Sequence, residues 1–123
     1  MKNRGSLRSA SSFERFILDQ LADLPGVTSR RMFGGVGLYS GAVFFGIIAR
    51  DQLYLKVDDR NRRRYEQAGM HAFKPYPDRP GTMGYYAVPV GVLESAMELT
   101  EWARGAVAVA AAAKPRRSSA ERP

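Results

Sequence analysis

The fold is decided by the segment from Val27 to Asp58, which reads VTSRRMFGGVGLYSGAVFFGIIARDQLYLKVD. Two short turn signals, Ser40-Gly41 and Asp51-Gln52, each separate one apolar run from the next. After the second turn, apolar and polar residues alternate as far as Asp58, which is typical of a strand with one buried face. The segment therefore predicts an antiparallel meander with strands over 27–32, 37–39, 42–49 and 53–57.

The third of these strands, 42–49, is apolar at almost every position, so we predict a central strand that is covered on both faces. The glycines that lead into the second strand, Gly34, Gly35 and Gly37, would suit a phosphate-binding loop only if a helix followed them. The segment after them is a predicted strand. We therefore interpret them as structural glycines at a bend or bulge.

A first helix is predicted ahead of the meander. Ser11 or Ser12 can cap its N-terminus, and Pro25-Gly26 ends it. Its apolar face repeats at helical spacing. The residues of that face are Phe13, Phe16, Ile17, Leu21 and Leu24.

Two further helices follow the meander, with a last strand over 82–88 between them. The second helix is predicted to be capped by Asp58 or Asp59 and to run to Ala68, with an inward stripe of Asn61, Tyr65 and Ala68. Ser95 and Glu98 form the pattern of a capping box at the start of the third helix. Its predicted apolar face consists of Leu99, Trp102, Ala103, Ala106, Val109 and Ala110.

Length and composition place these elements in one domain. The chain has 123 residues, 45% of them hydrophobic and 25% charged, and no cysteine, which excludes disulfides and thiolate metal sites. We predict an α+β domain over 12–113: an N-terminal helix, an antiparallel sheet of about five strands, and further helices packed on the sheet. A disordered basic arm (1–11) and a disordered basic tail (114–123) are expected to flank it.

Most of the formal net charge of +7 lies in these two flanks, so the domain itself is nearly neutral. The longest apolar run, residues 105–113, is far shorter than the ~20 residues of a membrane span. Acidic residues interrupt the stretch after the basic N-terminus, unlike a signal peptide. We therefore expect a cytoplasmic protein.

Several motifs, in order and spacing, resemble the N-terminal domains of TfoX/Sxy-type proteins, and the resemblance covers residues 12–113. The motifs are Arg30-Arg31-Met32-Phe33-Gly34-Gly35-Val36-Gly37-Leu38-Tyr39, Leu53-Tyr54-Leu55-Lys56-Val57-Asp58, Ala68-Gly69-Met70 with Phe73, Met83-Gly84-Tyr85-Tyr86 before Val88-Pro89, and Trp102-Ala103-Arg104. Gly84 departs from the pattern, because serine is commoner there.

The resemblance implies a helix, an antiparallel sheet and further helices, similar in outline to small secretion-chaperone-like folds. It also implies a connection with bacterial regulators of natural competence, which act with a cyclic-AMP-dependent transcription activator at promoters. Those regulators carry a second, C-terminal helical domain. We expect this chain to be the stand-alone first domain.

No residue pattern in the chain indicates catalysis or metal binding. His71 is the only histidine and lacks neighbouring ligands at metal-site spacing, so we expect it simply to follow a helix end. Asp58 and Asp59 together with Arg30 or Arg31 are the one arrangement that would suit an enzyme or a small-ligand site. We expect no enzyme, no cofactor and no metal.

The leading hypothesis is a non-enzymatic protein-interaction domain, with an accessory role in transcription or competence regulation as one form of it. Adjacent arginines in a strand point to opposite faces, so one can pair with an acid such as Asp58 or Asp59 while the other recognises a carboxylate or phosphate. A homodimer is a further possibility if one face or edge of the sheet is left uncovered. The candidate interaction residues are Arg30, Arg31, Phe33, Gly34, Gly35, Tyr85 and Tyr86.

The alternative hypothesis is a nucleic-acid-binding protein. Arg60, Arg63 and Arg64 lie on one stripe of the second helix, where they can follow a phosphate backbone or form an ordinary solvated face. The basic flanks would add weak, salt-sensitive binding. Tyrosines of the sheet can form a base-stacking platform or pack against their neighbours; they are Tyr39, Tyr54, Tyr85 and Tyr86.

Overall fold

The computed structural model describes residues 11–32, 34–74 and 82–121. Six described strands form one antiparallel sheet in the order β1-β2-β3-β4-β6-β5. Their bounds are β1 Val27–Met32, β2 Gly35–Ser40, β3 Val43–Ala49, β4 Gln52–Lys56, β5 Ala72–Phe73 and β6 Thr82–Ala87. The predicted α+β class and meander are confirmed. β5 was not predicted, because two residues give no periodic signal.

Helix α1, Ser12–Gln20, begins as predicted, with the Ser11 hydroxyl accepting a hydrogen bond from the Glu14 amide at 3.0 Å. It ends four residues before the predicted Leu24. Gly26 adopts a φ of +64° in the turn into β1, a conformation that glycine reaches without a steric penalty.

Helix α2, Arg62–Gln67, starts later than predicted. Asp58 does not cap it: one of its carboxylate oxygens accepts the Arg60 amide at 2.8 Å, and its own amide donates to the Asn61 side chain at 2.9 Å. These local bonds form a turn, which delays the helix. Tyr65 is fully buried as predicted, whereas Ala68 is exposed.

Helix α3, Val90–Leu93, is a single turn after Pro89 and was not predicted. Helix α4, Ala96–Glu121, opens with the Ser95 hydroxyl accepting from the Glu98 amide at 3.2 Å, the N-cap half of the expected capping box. Its alanine-rich part favours helix, and its backbone stays helical to residue 121, where the sequence predicted a disordered tail from 114. The predicted arm, 1–11, lies outside the described residues except for Ser11.

The hydrophobic core lies between the four helices and one face of the sheet. From the strands it receives mainly leucine, isoleucine and valine, and from α4 the predicted face. At its centre the Tyr65 ring packs edge-on against Trp102, with centroids 4.7 Å apart, and against Tyr86 at 5.9 Å. The prediction that the third strand is covered on both faces was wrong, since the helices of the described residues pack on its core side only.

No helix in the described ranges is long and apolar enough to cross a membrane.

Candidate interaction surface

The face of the sheet opposite the core carries a group of aromatic rings. The register places Gly37 opposite Arg30 and Ile47, and Ile47 opposite Tyr54, all on this side of the sheet. We call the surface the aromatic face and define it by Tyr39, Phe44, Tyr54, Phe73 and Tyr85. Each ring is partly buried, and no described helix covers it.

The rings of the aromatic face contact one another. The Phe44 centroid lies 5.2 Å from that of Tyr39 and 5.9 Å from that of Tyr85, so these three form a continuous row across β2, β3 and β6. Tyr54 and Phe73 form a second contact at 4.6 Å. Burial, and secondarily the neighbouring Tyr39, raises the pKa of Tyr85, so its hydroxyl stays protonated at neutral pH.

Two cations sit at the ends of the row. The guanidinium carbon of Arg30 lies 5.3 Å from the Tyr39 centroid, and the ammonium nitrogen of Lys56 lies 4.9 Å from the Tyr85 centroid. Both distances fall within the range of cation–π attraction. No carboxylate belongs to the described strand residues of this face. The described strands therefore provide aromatic rings and two cations, and the nearby Asp58, which lines a pocket with Lys56, is paired with Arg60.

The glycines of the sequence motif make this arrangement possible. A Cβ at Gly37 would lie 2.8 Å from the Met32 sulfur and 2.9 Å from Phe44 Cε1, so only glycine lets these side chains close over the strand. A Cβ at Gly35 would lie 2.7 Å from the backbone oxygen of Ile48. Gly34 adopts a φ of +73° between β1 and β2. The structural interpretation of these glycines is supported: Gly34 lies in the turn before β2, whereas Gly35 and Gly37 belong to β2 itself and not to the predicted bend.

The structure divides the predicted interaction residues. Arg30 and Tyr85 lie on the aromatic face. Tyr86 is buried in the core against Tyr65, and Arg31 points to the other side of β1 from Arg30, as the alternation predicted. Gly34 and Gly35 shape the backbone, and Phe33 lies outside the described residues.

Three members of the surface were absent from the predicted interaction set: Phe44, Tyr54 and Phe73. The adjacent pair Phe44-Phe45 gave no indication of which ring is inside. A register shift between Leu38 and Tyr39 places Tyr39 opposite Phe44, whereas Phe45 is fully buried in the core. Only the strand pairing supplies that information.

The arginine stripe lies on the other side of the molecule, along a groove between α2 and α4. The groove has a volume of about 510 Å³. We call it the arginine groove; it is lined by Arg60, Asn61, Arg63, Arg64, Gln67, Glu101, Gly105, Ala108 and Val109.

Intramolecular contacts already engage much of the charge of the arginine groove. Arg60 binds Asp58 at 2.8 Å, and hydrogen bonding to Arg60 lowers the pKa of the Asp58 carboxyl. The Arg64 guanidinium lies over the Trp102 ring, 4.9 Å from its centroid. Glu101 adds a negative charge to the wall.

Comparison with known families identifies the chain. The family model for the TfoX N-terminal domain matches residues 19–110, which is most of the sequence. The chain belongs to the TfoX N-terminal domain family. This family is linked in general terms to the regulation of competence and DNA uptake. A comparison with curated proteins found no match.

In this TfoX N-terminal domain, the acids that were considered for catalysis form local ion pairs. Asp58 pairs with Arg60, and Asp59 pairs with Arg62 at the start of α2. His71 is exposed, and its backbone oxygen accepts the Ala87 amide at 3.0 Å. Within the described ranges, no group of three histidine or carboxylate side chains is placed to hold a metal ion.

Proposed function

We propose that this TfoX N-terminal domain is a non-enzymatic, cytoplasmic protein-interaction domain that binds its partner through the aromatic face. The observation that carries the proposal is the row Tyr39–Phe44–Tyr85 on a sheet face that no described helix covers. Burying partly exposed rings in a partner releases water and provides the aromatic anchors that dominate interface energies. An arginine beside them is also typical of such interfaces.

The family's general link to competence regulation gives this binding a biological setting. We propose that the partner is a protein of the transcription apparatus, with an activator as the leading candidate. The proposal requires no DNA contact by the domain itself, which agrees with the nearly neutral charge of residues 12–113.

Nucleic-acid binding by the arginine groove is the alternative. Its support is the clustering of Arg60, Arg63 and Arg64 along one groove. Two of these three side chains already bind Asp58 or stack on Trp102, and Glu101 would repel phosphates. The aromatic face has no carboxylate in its described strands and therefore offers the better binding surface.

A site-specific photo-cross-linker tests the proposal. p-Benzoyl-phenylalanine is placed at position 54 on the aromatic face or, as a control, at position 97, where Met97 is 81% exposed at the start of α4. Each variant of the full chain is irradiated in a lysate of cells that naturally contain it. Circular dichroism and thermal unfolding confirm that both variants keep the native fold.

We expect light-dependent protein adducts from position 54 and none above background from position 97. The adduct partner, prepared separately, should then bind the wild-type chain in solution. Equal labelling at both positions, or no protein adduct at position 54, would overturn the proposal. Adducts at position 54 that nuclease removes would indicate a nucleic-acid partner and would also contradict the proposed protein partner.

A further inference from the structure

We infer that the aromatic face binds a protein segment that combines acidic with apolar side chains. This inference rests on the proposed function and specifies the chemistry of the partner. Arg30 and Lys56 mark the two ends of the ring row, and no described strand residue of the face carries a negative charge. A carboxylate near each cation and apolar groups between them complement that pattern.

The sheet geometry sets the spacing of the acidic side chains. Arg30 is in β1 and Lys56 is in β4, three strand spacings apart in the sheet order. At about 4.8 Å per spacing the two strands are roughly 14 Å apart. Arg30 is in register with Tyr54, and Lys56 lies two residues, or roughly 7 Å, further along β4, so the two backbone positions are roughly 16 Å apart. An extended segment covers this distance in about five residues. Acidic positions about five residues apart, with apolar residues between them, therefore fit the surface.

Apolar groups of the partner have a defined place to bind. Phe44 lies in the middle of the row, and the Met32 sulfur closes over Gly37 beside it. Ile47 belongs to the same face through its pairing with Gly37. The centre of the surface is thus apolar and its margin is charged, which is the usual organisation of a protein-binding site.

A single-stranded nucleic acid fits less well, although it would also use cations and rings. Base stacking needs free ring faces. Arg30 lies over the face of Tyr39 and Lys56 over that of Tyr85, so a base would have to displace a cation from each. A carboxylate can approach the same cations from solvent without moving them.

A second copy of the chain is also a poor occupant. Pairing two aromatic faces would bring Arg30 and Lys56 of one copy against the same cations of the other. No carboxylate of the described strands would compensate for that repulsion, and Asp58, which lines a pocket with Lys56, is already paired with Arg60. Like charges brought together at an interface select against the pairing.

The test is a selection from a displayed library of random peptides of about ten residues, long enough in extended form to cross the sheet. The targets are the full wild-type chain, the double variant Arg30→Gln/Lys56→Gln, and the matched control Arg63→Gln, which removes an exposed cation from the arginine groove. A fourth target, Phe44→Ser, removes the central ring. Dissociation constants are measured for the enriched peptides and for a thymidine oligonucleotide of about 16 nucleotides.

We expect the wild type and Arg63→Gln to enrich acidic–apolar peptides with similar affinity, and the double variant to bind them at least about tenfold more weakly. Peptides that are neutral or basic, but still require Phe44, would overturn the acidic inference and leave the proposed function standing. If the selection yields no peptide whose binding depends on Phe44, both the acidic inference and the proposed function are contradicted. Tighter binding of the oligonucleotide than of any peptide, lost in the double variant, would assign the face to nucleic acid.

Discussion

The ammonium nitrogen of Lys56 lies 4.9 Å from the centroid of the Tyr85 ring. A Cβ at residue 84 would lie 2.9 Å from the same nitrogen, so Lys56 keeps this position because residue 84 is glycine. Gly84 is also the position at which the sequence resemblance described above leads us to expect serine. The departure therefore has a consequence on the aromatic face.

Gly84→Ser should displace the end of Lys56 without unfolding the protein. Because that end belongs to a flexible side chain, we expect the free energy of unfolding to change by less than about 1 kcal/mol. Binding of an acidic peptide should weaken by about two- to fivefold, since one cation loses its fixed position. Urea unfolding and fluorescence anisotropy measure the two effects. Unchanged binding would show that Lys56 takes no part.

Gly37→Ala should destabilise the domain. The added methyl would meet Met32 and Phe44 at less than 3.0 Å, and overpacking of this kind costs about 1–3 kcal/mol. Gly91→Ala is the matched control, because no atom lies within 4 Å of its added Cβ and the residue is helical. Chemical denaturation of both variants checks the difference. A Gly37→Ala protein as stable as the control would contradict the packing described for the aromatic face.

Tyr65→Phe should stabilise the protein by about 1 kcal/mol. The Tyr65 hydroxyl is buried without a hydrogen-bond partner among the described residues, and such a group costs about 1–3 kcal/mol. Tyr54→Phe is the control, because Tyr54 is only partly buried. Urea unfolding at neutral pH provides the comparison. A loss of stability in Tyr65→Phe would mean that the hydroxyl is bonded.

The same residue predicts a dependence on alkaline pH. Burial raises the pKa of Tyr65 in the folded state well above its unfolded value of about 10. The neutral form therefore contributes stability that is fully present below pH ~10 and is lost as the pH rises towards the folded pKa. Wild-type stability should fall above pH ~10, and the fall should be shallower in Tyr65→Phe. Equal slopes would contradict this assignment.

Asp58 predicts a small dependence on acidic pH. Hydrogen bonding to Arg60 lowers the pKa of Asp58 below its ordinary value, so its stabilisation is present above pH ~4 and is lost as the pH falls through the folded pKa. The pair is exposed to solvent, which screens the attraction, so its contribution to stability is small. Asp58→Asn should lower Tm slightly at pH ~7 but not at pH ~3. The control Asp23→Asn, at an exposed residue of the turn after α1, should leave Tm unchanged at both pH values.

The elements in which apolar residues repeat at regular spacing could be predicted from the sequence. The face of α4 repeats every three to four residues, and Leu99, Ala103 and Ala106 are fully buried as expected. The alternation in β4 likewise placed Leu53 and Leu55 in the core. Periodicity works here because each of these elements buries one face and exposes the other.

The aromatic face was harder to predict because β3 is apolar on both sides. A strand of this kind is usually covered on both faces. Here one side of β3 belongs to the aromatic face, which no described helix covers. Tyr85 and Tyr86 are equivalent in the sequence, and only the pairing of Tyr86 with Leu55 puts that ring in the core. The start of α2 was missed because side-chain bonds of Asp58 compete with helix formation.

The most direct test of the central claim is a proton–nitrogen correlation spectrum of the labelled full chain, titrated with the most strongly enriched displayed peptide. We predict that the resonances of the aromatic face, above all those of Tyr39, Phe44 and Tyr85, shift with increasing peptide. The resonances of Arg63 and Glu101 in the arginine groove should not shift. Shifts confined to the arginine groove, with an unchanged aromatic face, would contradict the account.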